Sequence, residues 1–256
     1  MKCLSLLLTL CLPSLIFAQD LKPVHQDTIN KRSAILHGQN PPAFRSFIVP
    51  GILIGYGLIS LGNNPIRNLD YNTRAELQED HPRFAMHVDN YIQYTPGAAF
   101  YALNLLGVKS KHNITDGTAL FILSEAIMTG SVFAVKRLAD RNRPDGSNNF
   151  SFPSGHTANA FAAAEFLNQE YRDVSPWIGY AGYAVATATG ALRMYNNKHW
   201  LSDVVAGAGF GILSTKVTYL VYPYIKRKLF KGKSVDMLVS PNYQNGNLGF
   251  NLIKRF

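Results

Sequence analysis

The stretch FPSGHTANAFAAAEF, residues 152–166, carries the signal of a helix start followed by an alanine-rich helix. Ser154 is a natural N-cap, because its side chain can accept a hydrogen bond from the first helical turn. The free N–H groups of that turn, with Gly155 allowing close backbone approach, predict an anion site next to His156. A histidine at a helix start can also be purely structural, so this stretch alone predicts a helix with an anion-binding end.

Further apolar stretches on both sides of this helix predict an all-α fold of six helices. The six stretches are residues 46–66, 90–108, 117–135, 157–167, 174–192 and 204–225. The first, second and fifth carry no charge and approach the roughly 20 residues that a bilayer requires. We expect a membrane-embedded bundle, with a soluble or membrane-surface bundle as the alternative because the mean hydropathy is only −0.02. The polar segment 63–89 is interpreted as a lid or a connecting loop.

The two ends of the chain carry different signals. The first 18 residues combine Lys2, an apolar run and a small-residue cleavage site, which predicts a secretory signal peptide or, alternatively, an uncleaved anchor helix. The last residues alternate in polarity around Asn245-Gly246, which is typical of a β-hairpin. The expected domains are a signal peptide, a polar arm, a helical phosphate-binding domain and a hairpin tail, at residues 1–18, 19–45, 46–230 and 231–256.

Charge and cysteine content limit the classes of partner. The formal charge of +9 favours an anionic partner. Nucleic acid is disfavoured because no binding motif occurs, so a phosphorylated lipid or a membrane surface fits better. Cys3 and Cys11 both lie in the predicted signal peptide, which excludes disulfides and thiolate metal sites from the mature chain. We expect no metal and no cofactor.

Two more blocks place cationic or imidazole side chains at predicted helix ends. In KRLADRNRP, residues 136–144, Lys136 closes a helix and Pro144 moves Arg143 out of helical geometry, so both cations could grip a phosphate. The alternative is a purely structural role, in which basic side chains at a helix C-terminus interact favourably with the helix dipole. In ALRMYNNKHWLSDVVAG, residues 191–207, Arg193 ends one helix and His199 begins the next. Asp203 lies one turn further on.

The pair in the last block has the chemistry of an activated histidine. A carboxylate at position 203 can accept a hydrogen bond from one ring nitrogen of His199, which fixes the tautomer and raises the basicity of the other nitrogen. A surface His and Asp pair on one helix is the alternative. Three phosphate-competent blocks in one basic chain favour a shared site.

Together these blocks resemble the three-part signature of the type 2 phosphatidic acid phosphatase (PAP2) and vanadium haloperoxidase superfamily. The resemblance covers roughly residues 119–225. One departure is Leu192, where the family usually has serine, so at most one hydroxyl contact to phosphate is lost. The matching residues are Lys136 and Arg143-Pro144 in the first block, Pro153-Ser154-Gly155-His156 in the second, and Arg193, His199 and Asp203 in the third.

The resemblance implies a metal-independent phosphatase. His199 would attack phosphorus, Asp203 would orient it, and His156 would protonate the leaving oxygen and then activate water. The remaining residues would hold the phosphate oxygens, namely Lys136, Arg143, Ser154, Gly155 and Arg193. The fold implied is a six-helix PAP2-like bundle with the site on the outer side of the membrane.

The expected substrate is a phosphate monoester or diphosphate on a lipid or isoprenoid carrier of the cell envelope. Phosphatidate, phosphatidylglycerophosphate, undecaprenyl diphosphate and lipid A remain unranked. The alternatives are a soluble periplasmic nonspecific acid phosphatase, a vanadate-dependent haloperoxidase and a noncatalytic scaffold that binds anionic lipid. The predicted location is the inner membrane with a periplasm-facing site, or the periplasm itself.

Overall fold

The structure is a computed structural model that describes residues 44–82, 84–230, 237–244 and 247–254. This part of the chain is predominantly helical, as expected. The predicted signal peptide and nearly all of the polar arm lie outside the described residues. After a short 3-10 helix, Phe44–Phe47, the described residues form α1 Ile48–Ile59, α2 Pro65–Asp80, α3 Asp89–Ile92, α4 Thr95–Leu105, α5 Ile114–Ala139, α6 Gly155–Tyr171, α7 Pro176–Tyr195 and α8 Leu201–Phe230.

Helix α6 is the central helix and packs against α4, α5, α7 and α8. Its alanines favour the helix and let neighbouring helices approach its backbone. The Ser154 side chain caps this helix by accepting a hydrogen bond from the Thr157 N–H at 3.4 Å, as predicted. At the other end, Phe166 packs edge to face on Phe100 of α4. The fully buried alanines of α6 are Ala158, Ala160, Ala162 and Ala164.

Two glycines bring α8 very close to α6. A Cβ on Gly207 would lie 2.6 Å from the Ser154 carbonyl oxygen, and a Cβ on Gly211 would lie 2.3 Å from that of Ala158. A larger residue at either position therefore requires the helices to separate. The close contact joins the N-terminal ends of both helices, where the Ser154 N–H donates to the Asp203 carbonyl oxygen at 2.9 Å.

The prediction of six helices is too low for the described residues, which contain eight α-helices. Helix α2 lies within segment 63–89, which was expected to be a lid or a loop. Asn64 caps it by accepting hydrogen bonds from the N–H groups of Ile66 and Arg67 at 3.0 and 3.2 Å. Pro65 occupies the first helical position, where its missing N–H costs nothing. The predicted stretch 90–108 is divided between α3 and α4.

The helices that could cross a membrane are not the charge-free ones that the sequence favoured. By length and composition alone, two helices of the described part qualify, Ile114–Ala139 and Leu201–Lys228. Each contains a charged side chain inside its apolar stretch, Glu125 in the first helix and Lys216 in the second. The sequence-based prediction counted these charges against a membrane span. Two of the charge-free stretches form helices that are too short, because α1 has 12 residues and α4 has 11. The third forms α7, which has 20 residues but is not among the two helices that qualify by length and composition together.

Near the C-terminus, two strands pair antiparallel, β1 Met237–Gln244 and β2 Asn247–Lys254. Their register runs from Met237 opposite Lys254 to Gln244 opposite Asn247. The two residues between them, where a hairpin turn was expected, lie outside the described residues. That turn remains a prediction.

Candidate active site

The predicted site residues lie at helix ends that meet at the N-terminal end of α6. Each end is local in sequence, but the packing of α5, α7 and α8 around α6 brings the ends together. Lys136 is in the last turn of α5 and Arg193 is in the last turn of α7. Ser154 and Gly155 start α6 with His156 in its first turn, and Asp203 is in the first turn of α8. Arg143 and His199 lie in the connecting segments.

Asp203 is completely buried next to His199. Its Oδ2 accepts hydrogen bonds from the Ser151 hydroxyl at 2.5 Å and from the Trp200 N–H at 2.9 Å. The Nδ1 of His199 lies 3.6 Å from the same oxygen, within ion-pair range but longer than a hydrogen bond. The carboxylate is therefore held from several sides and faces the imidazole that it was predicted to orient.

Both histidines have depressed pKa values. Burial is the main cause of the lower pKa of His199, about 4, and the cations Lys136 and Arg193 add to it, although Asp203 opposes it. Burial also lowers the pKa of His156 to about 4, with Arg193, Arg143 and Lys136 contributing. Because the two imidazoles share Lys136 and Arg193 as electrostatic neighbours, they belong to one cationic site. Both are neutral near pH 7.

Helix α3 supplies two contacts to this site. The Asn90 side-chain oxygen lies 2.8 Å from Nε2 of His156. The adjacent Asp89 forms a buried ion pair with Arg193, with 2.7 Å between its Oδ2 and NH1. One short helix therefore contacts both an imidazole and a guanidinium that the sequence pattern had singled out.

The other predicted phosphate ligands differ in how they are engaged. The ammonium of Lys136 donates to the backbone carbonyls of Phe150 at 2.8 Å and of Pro153 at 2.5 Å, which ties α5 to the start of α6. The Ser154 hydroxyl serves mainly as the cap of α6 and accepts a hydrogen bond from the Thr157 hydroxyl at 2.9 Å.

Three buried nitrogens of the site have no hydrogen-bond partner within the described part of the chain. They are Nε of Arg143, Nε of Arg193 and Nδ1 of His199. Buried donors without partners cost free energy, and charged donors cost the most. Burial, followed by the repulsion of Arg193, also lowers the pKa of Arg143. Nδ1 of His199 faces Asp203, so an anion with several oxygens would pair with the two guanidinium nitrogens and relieve the crowding of positive charge.

Several residues that build this site escaped the sequence analysis. Arg141 lies inside the block KRLADRNRP, so its charge was visible, but nothing in the pattern separated it from Arg137. Asp70, Asp89 and Asn90 had no local signal, because they reach the site only through the packing of α2 and α3 on the bundle.

No group of three or more histidine, cysteine, aspartate or glutamate side chains that could hold a metal ion occurs in residues 44–82 and 84–228. The charge that would balance an anion here comes from arginine and lysine. Their guanidinium and ammonium groups can donate directly to phosphate oxygens.

Several known proteins are similar to this chain. The PAP2 superfamily model matches residues 117–227. A lipid A 1-phosphatase of Porphyromonas gingivalis is 40% identical over 162 residues, which is 62% of this chain and 36% of that protein. The chain thus spans about a third of that relative.

Two solved structures are similar. A transmembrane PAP2 type phosphatidylglycerolphosphate phosphatase from Bacillus subtilis has a TM-score of 0.50 and 21% identity, covering 70% of this chain and 98% of that one. LpxE from Aquifex aeolicus has a TM-score of 0.43 and 22% identity, covering 56% of this chain and 92% of that one. The residues that the PAP2 superfamily model matches, 117–227, hold all three sequence blocks.

Proposed function

We propose that this protein is a phosphatase that removes phosphate from a phosphorylated lipid of the cell envelope, through a phosphohistidine at His199. The observation that carries the proposal is the pair of buried, unpartnered guanidinium nitrogens, Nε of Arg143 and Nε of Arg193, in the cationic site that holds His199. Such a site favours an anion with several oxygens, and it becomes most favourable when negative charge accumulates at phosphorus in the transition state.

His199 is the proposed nucleophile. Its low pKa keeps the imidazole neutral and therefore nucleophilic near pH 7. Nδ1 faces Asp203, so the proton is expected on Nδ1 and the lone pair on Nε2. Nε2 attacks phosphorus as the bond to the leaving oxygen breaks, and Asp203 stabilises the positive charge that develops on the ring.

His156 is the proposed general acid and base. Its pKa of about 4 leaves it neutral next to three cations. A bound phosphate supplies negative charge that offsets those cations and raises the pKa of His156, so the imidazole can carry the proton that the leaving oxygen requires. In the second step, the neutral ring takes a proton from the water that cleaves the bond between phosphorus and nitrogen.

Arg143 and Arg193 are the proposed ligands of the nonbridging oxygens. NH1 of Arg193 donates a hydrogen bond to Asp89, whereas Nε of the same guanidinium has no partner among the described residues. Lys136 donates to backbone carbonyls, so we assign it a role as a positive charge near the site. The amide of Gly155 and the hydroxyl of Ser154 complete the proposed oxygen contacts at the start of α6.

A lipid substrate is supported by the surface of the helical domain. Exposed aromatic side chains occur near the site, at Tyr91 and Tyr94, and at the opposite end of α7, at Trp177 and Tyr180. Helix α7 has 20 residues, which makes it about 30 Å long and matches the hydrocarbon core of a bilayer. Tyrosine and tryptophan favour both membrane interfaces, so this spacing fits a bundle embedded with its site at one interface.

Lipid A 1-phosphate is the first substrate to test, because the relative that is 40% identical carries that activity in its name. Purified protein would be assayed on lipid A, phosphatidate, phosphatidylglycerophosphate, undecaprenyl diphosphate and a soluble phosphomonoester. We expect phosphate release from a lipid, abolished in His199→Ala and in His156→Ala. Unchanged release in His199→Ala would contradict the mechanism, and release from the soluble ester alone would contradict the lipid substrate.

Carbonate extraction of membranes tests the location separately. We expect the protein to stay in the membrane fraction, because α5 and α8 are long and apolar enough to span a bilayer. Release into the soluble fraction would contradict embedding and favour a soluble phosphatase with the same site.

A further inference from the structure

Arg141 lies between two buried carboxylates that come from different parts of the chain. Its NH1 donates to Oδ1 of Asp203 at 2.8 Å, and its NH2 donates to Oδ2 of Asp70 at 2.7 Å. Both carboxylates are fully buried, and the Arg141 side chain is 9% exposed. The guanidinium thereby connects α2 to the first turn of α8, where Asp203 faces His199.

Asp70 also holds the start of α8 directly. Its Oδ1 accepts a hydrogen bond from the Ser202 N–H at 2.8 Å, and its Oδ2 accepts one from the Ser202 hydroxyl at 2.6 Å. A carboxylate at this position satisfies a free N–H of the first turn and interacts favourably with the helix dipole. The residue next to Asp203 is thus fixed by α2.

The tryptophan that follows His199 is fixed by the same group of residues. The Arg141 guanidinium lies over the Trp200 ring, 5.5 Å from its centroid. Tyr71, next to Asp70 on α2, packs edge to face on the same ring at 5.2 Å. The segment that follows His199, from Trp200 to Asp203, is consequently constrained by α2 and Arg141.

We propose that Asp70 and Arg141 are positioning residues of the active site, which hold Asp203 and, through it, His199 in the orientation needed for attack on phosphorus. The inference rests on the proposed phosphatase function. Helix α2 precedes the matched region 117–227, so the site would be completed by a helix outside the matched family domain. Neither residue touches the substrate in this proposal.

The charges of this group predict a specific effect on His199. Asp70, Arg141 and Asp203 together carry one negative charge, which favours the protonated imidazole. With Asp70→Asn the group becomes neutral, so the pKa of His199 falls and the ring becomes a weaker nucleophile. The other charged groups facing His199 are Lys136 of α5 and Arg193 of α7, with Arg74 of α2 across a small cleft. None of these changes in the variant.

The test compares kcat, KM and the pH dependence of kcat/KM for Asp70→Asn, Arg141→Lys and a control, Asp80→Asn, which alters an exposed residue of the same helix. For Asp70→Asn we expect kcat to fall about 10-fold to 100-fold with KM unchanged, as for a slightly misplaced catalytic group. The acid limb of kcat/KM should move to lower pH.

Arg141→Lys keeps the charge but cannot bridge both carboxylates in a forked geometry. It should lower kcat without moving the acid limb, while Asp80→Asn should match the wild type. Wild-type kcat and an unmoved acid limb in Asp70→Asn would overturn the inference. If Asp70→Asn does not fold, the kcat of Arg141→Lys decides instead. A wild-type kcat in Arg141→Lys would overturn the inference. Inactive wild-type protein would instead reject the proposed phosphatase function itself.

Discussion

Arg193, at the end of α7, forms a buried ion pair with Asp89 of α3, in which NH1 and Oδ2 are 2.7 Å apart. A predicted phosphate ligand is thus already paired with an internal anion. The pair can hold the guanidinium in place while leaving Nε for substrate.

Asp89→Asn tests this arrangement, because removing one partner of a buried ion pair costs about 3–5 kcal/mol. We expect a lower melting temperature, and a larger rise of that temperature on adding inorganic phosphate than in the wild type. Phosphate binds the folded state and would replace the lost anion. The control is Asp173→Asn, whose pair with Arg172 is exposed and 3.9 Å long. Equal phosphate effects in Asp89→Asn and the wild type would show that Arg193 does not meet phosphate.

Asn90→Asp changes the group that contacts His156 at 2.8 Å. A carboxylate there stabilises the protonated imidazole and raises the pKa of His156, so the basic limb of kcat should move to higher pH. The KM should rise because the new negative charge repels phosphate. Asn68→Asp, on the exposed face of α2, serves as the control and should leave both quantities unchanged. A basic limb that stays in place would mean that His156 is not the proton donor.

The depressed pKa of His199 predicts how stability depends on pH. In the unfolded chain the imidazole titrates near 6.5, whereas burial lowers the folded value to about 4. Between these values only the unfolded state binds the proton, so this contribution to the free energy of unfolding is complete above pH 6.5 and is lost as pH falls toward 4. His199→Gln should weaken the fall in melting temperature over that window, whereas His87→Gln, at an exposed position, should not. The same pH dependence in both variants would contradict a buried neutral His199.

Chelation tests the role assigned to the cationic side chains. Because arginine and lysine supply the positive charge, phosphate release should continue at the wild-type rate in excess EDTA. The measurement is the initial rate before and after dialysis against chelator. Loss of activity that only a divalent ion restores would contradict the proposed mechanism.

The local parts of the site could be predicted from the sequence, because caps, helix breaks and terminal charges are properties of short segments. Ser154 caps α6 as expected, and Lys136 and Arg193 close their helices. The glycines that allow α8 to approach α6 were not recognised, although Gly207 and Gly211 make that approach possible.

Contacts between distant segments could not be predicted. Asp70 lies 71 positions from Arg141, and Asp89 lies 104 from Arg193, so neither pairing has a local pattern. Helix α2 was missed because its polar composition resembles a loop, although its Asn64-Pro65 start is a capping signal. The candidate spans were misjudged because a single charge such as Lys216 was treated as an interruption, whereas it pairs with Glu165 at 2.7 Å.

The central claim is that phosphorus becomes covalently attached to His199, and trapping this intermediate tests it most directly. His156→Ala protein would be exposed briefly to lipid A labelled in its 1-phosphate, denatured at alkaline pH and digested for mass spectrometry, with His199→Ala as the control. We predict an acid-labile phosphoryl group on the peptide that contains His199, and none in the control. The account would be contradicted if the wild type releases phosphate but no variant carries a label on His199. A label on a residue other than His199 would contradict it as well.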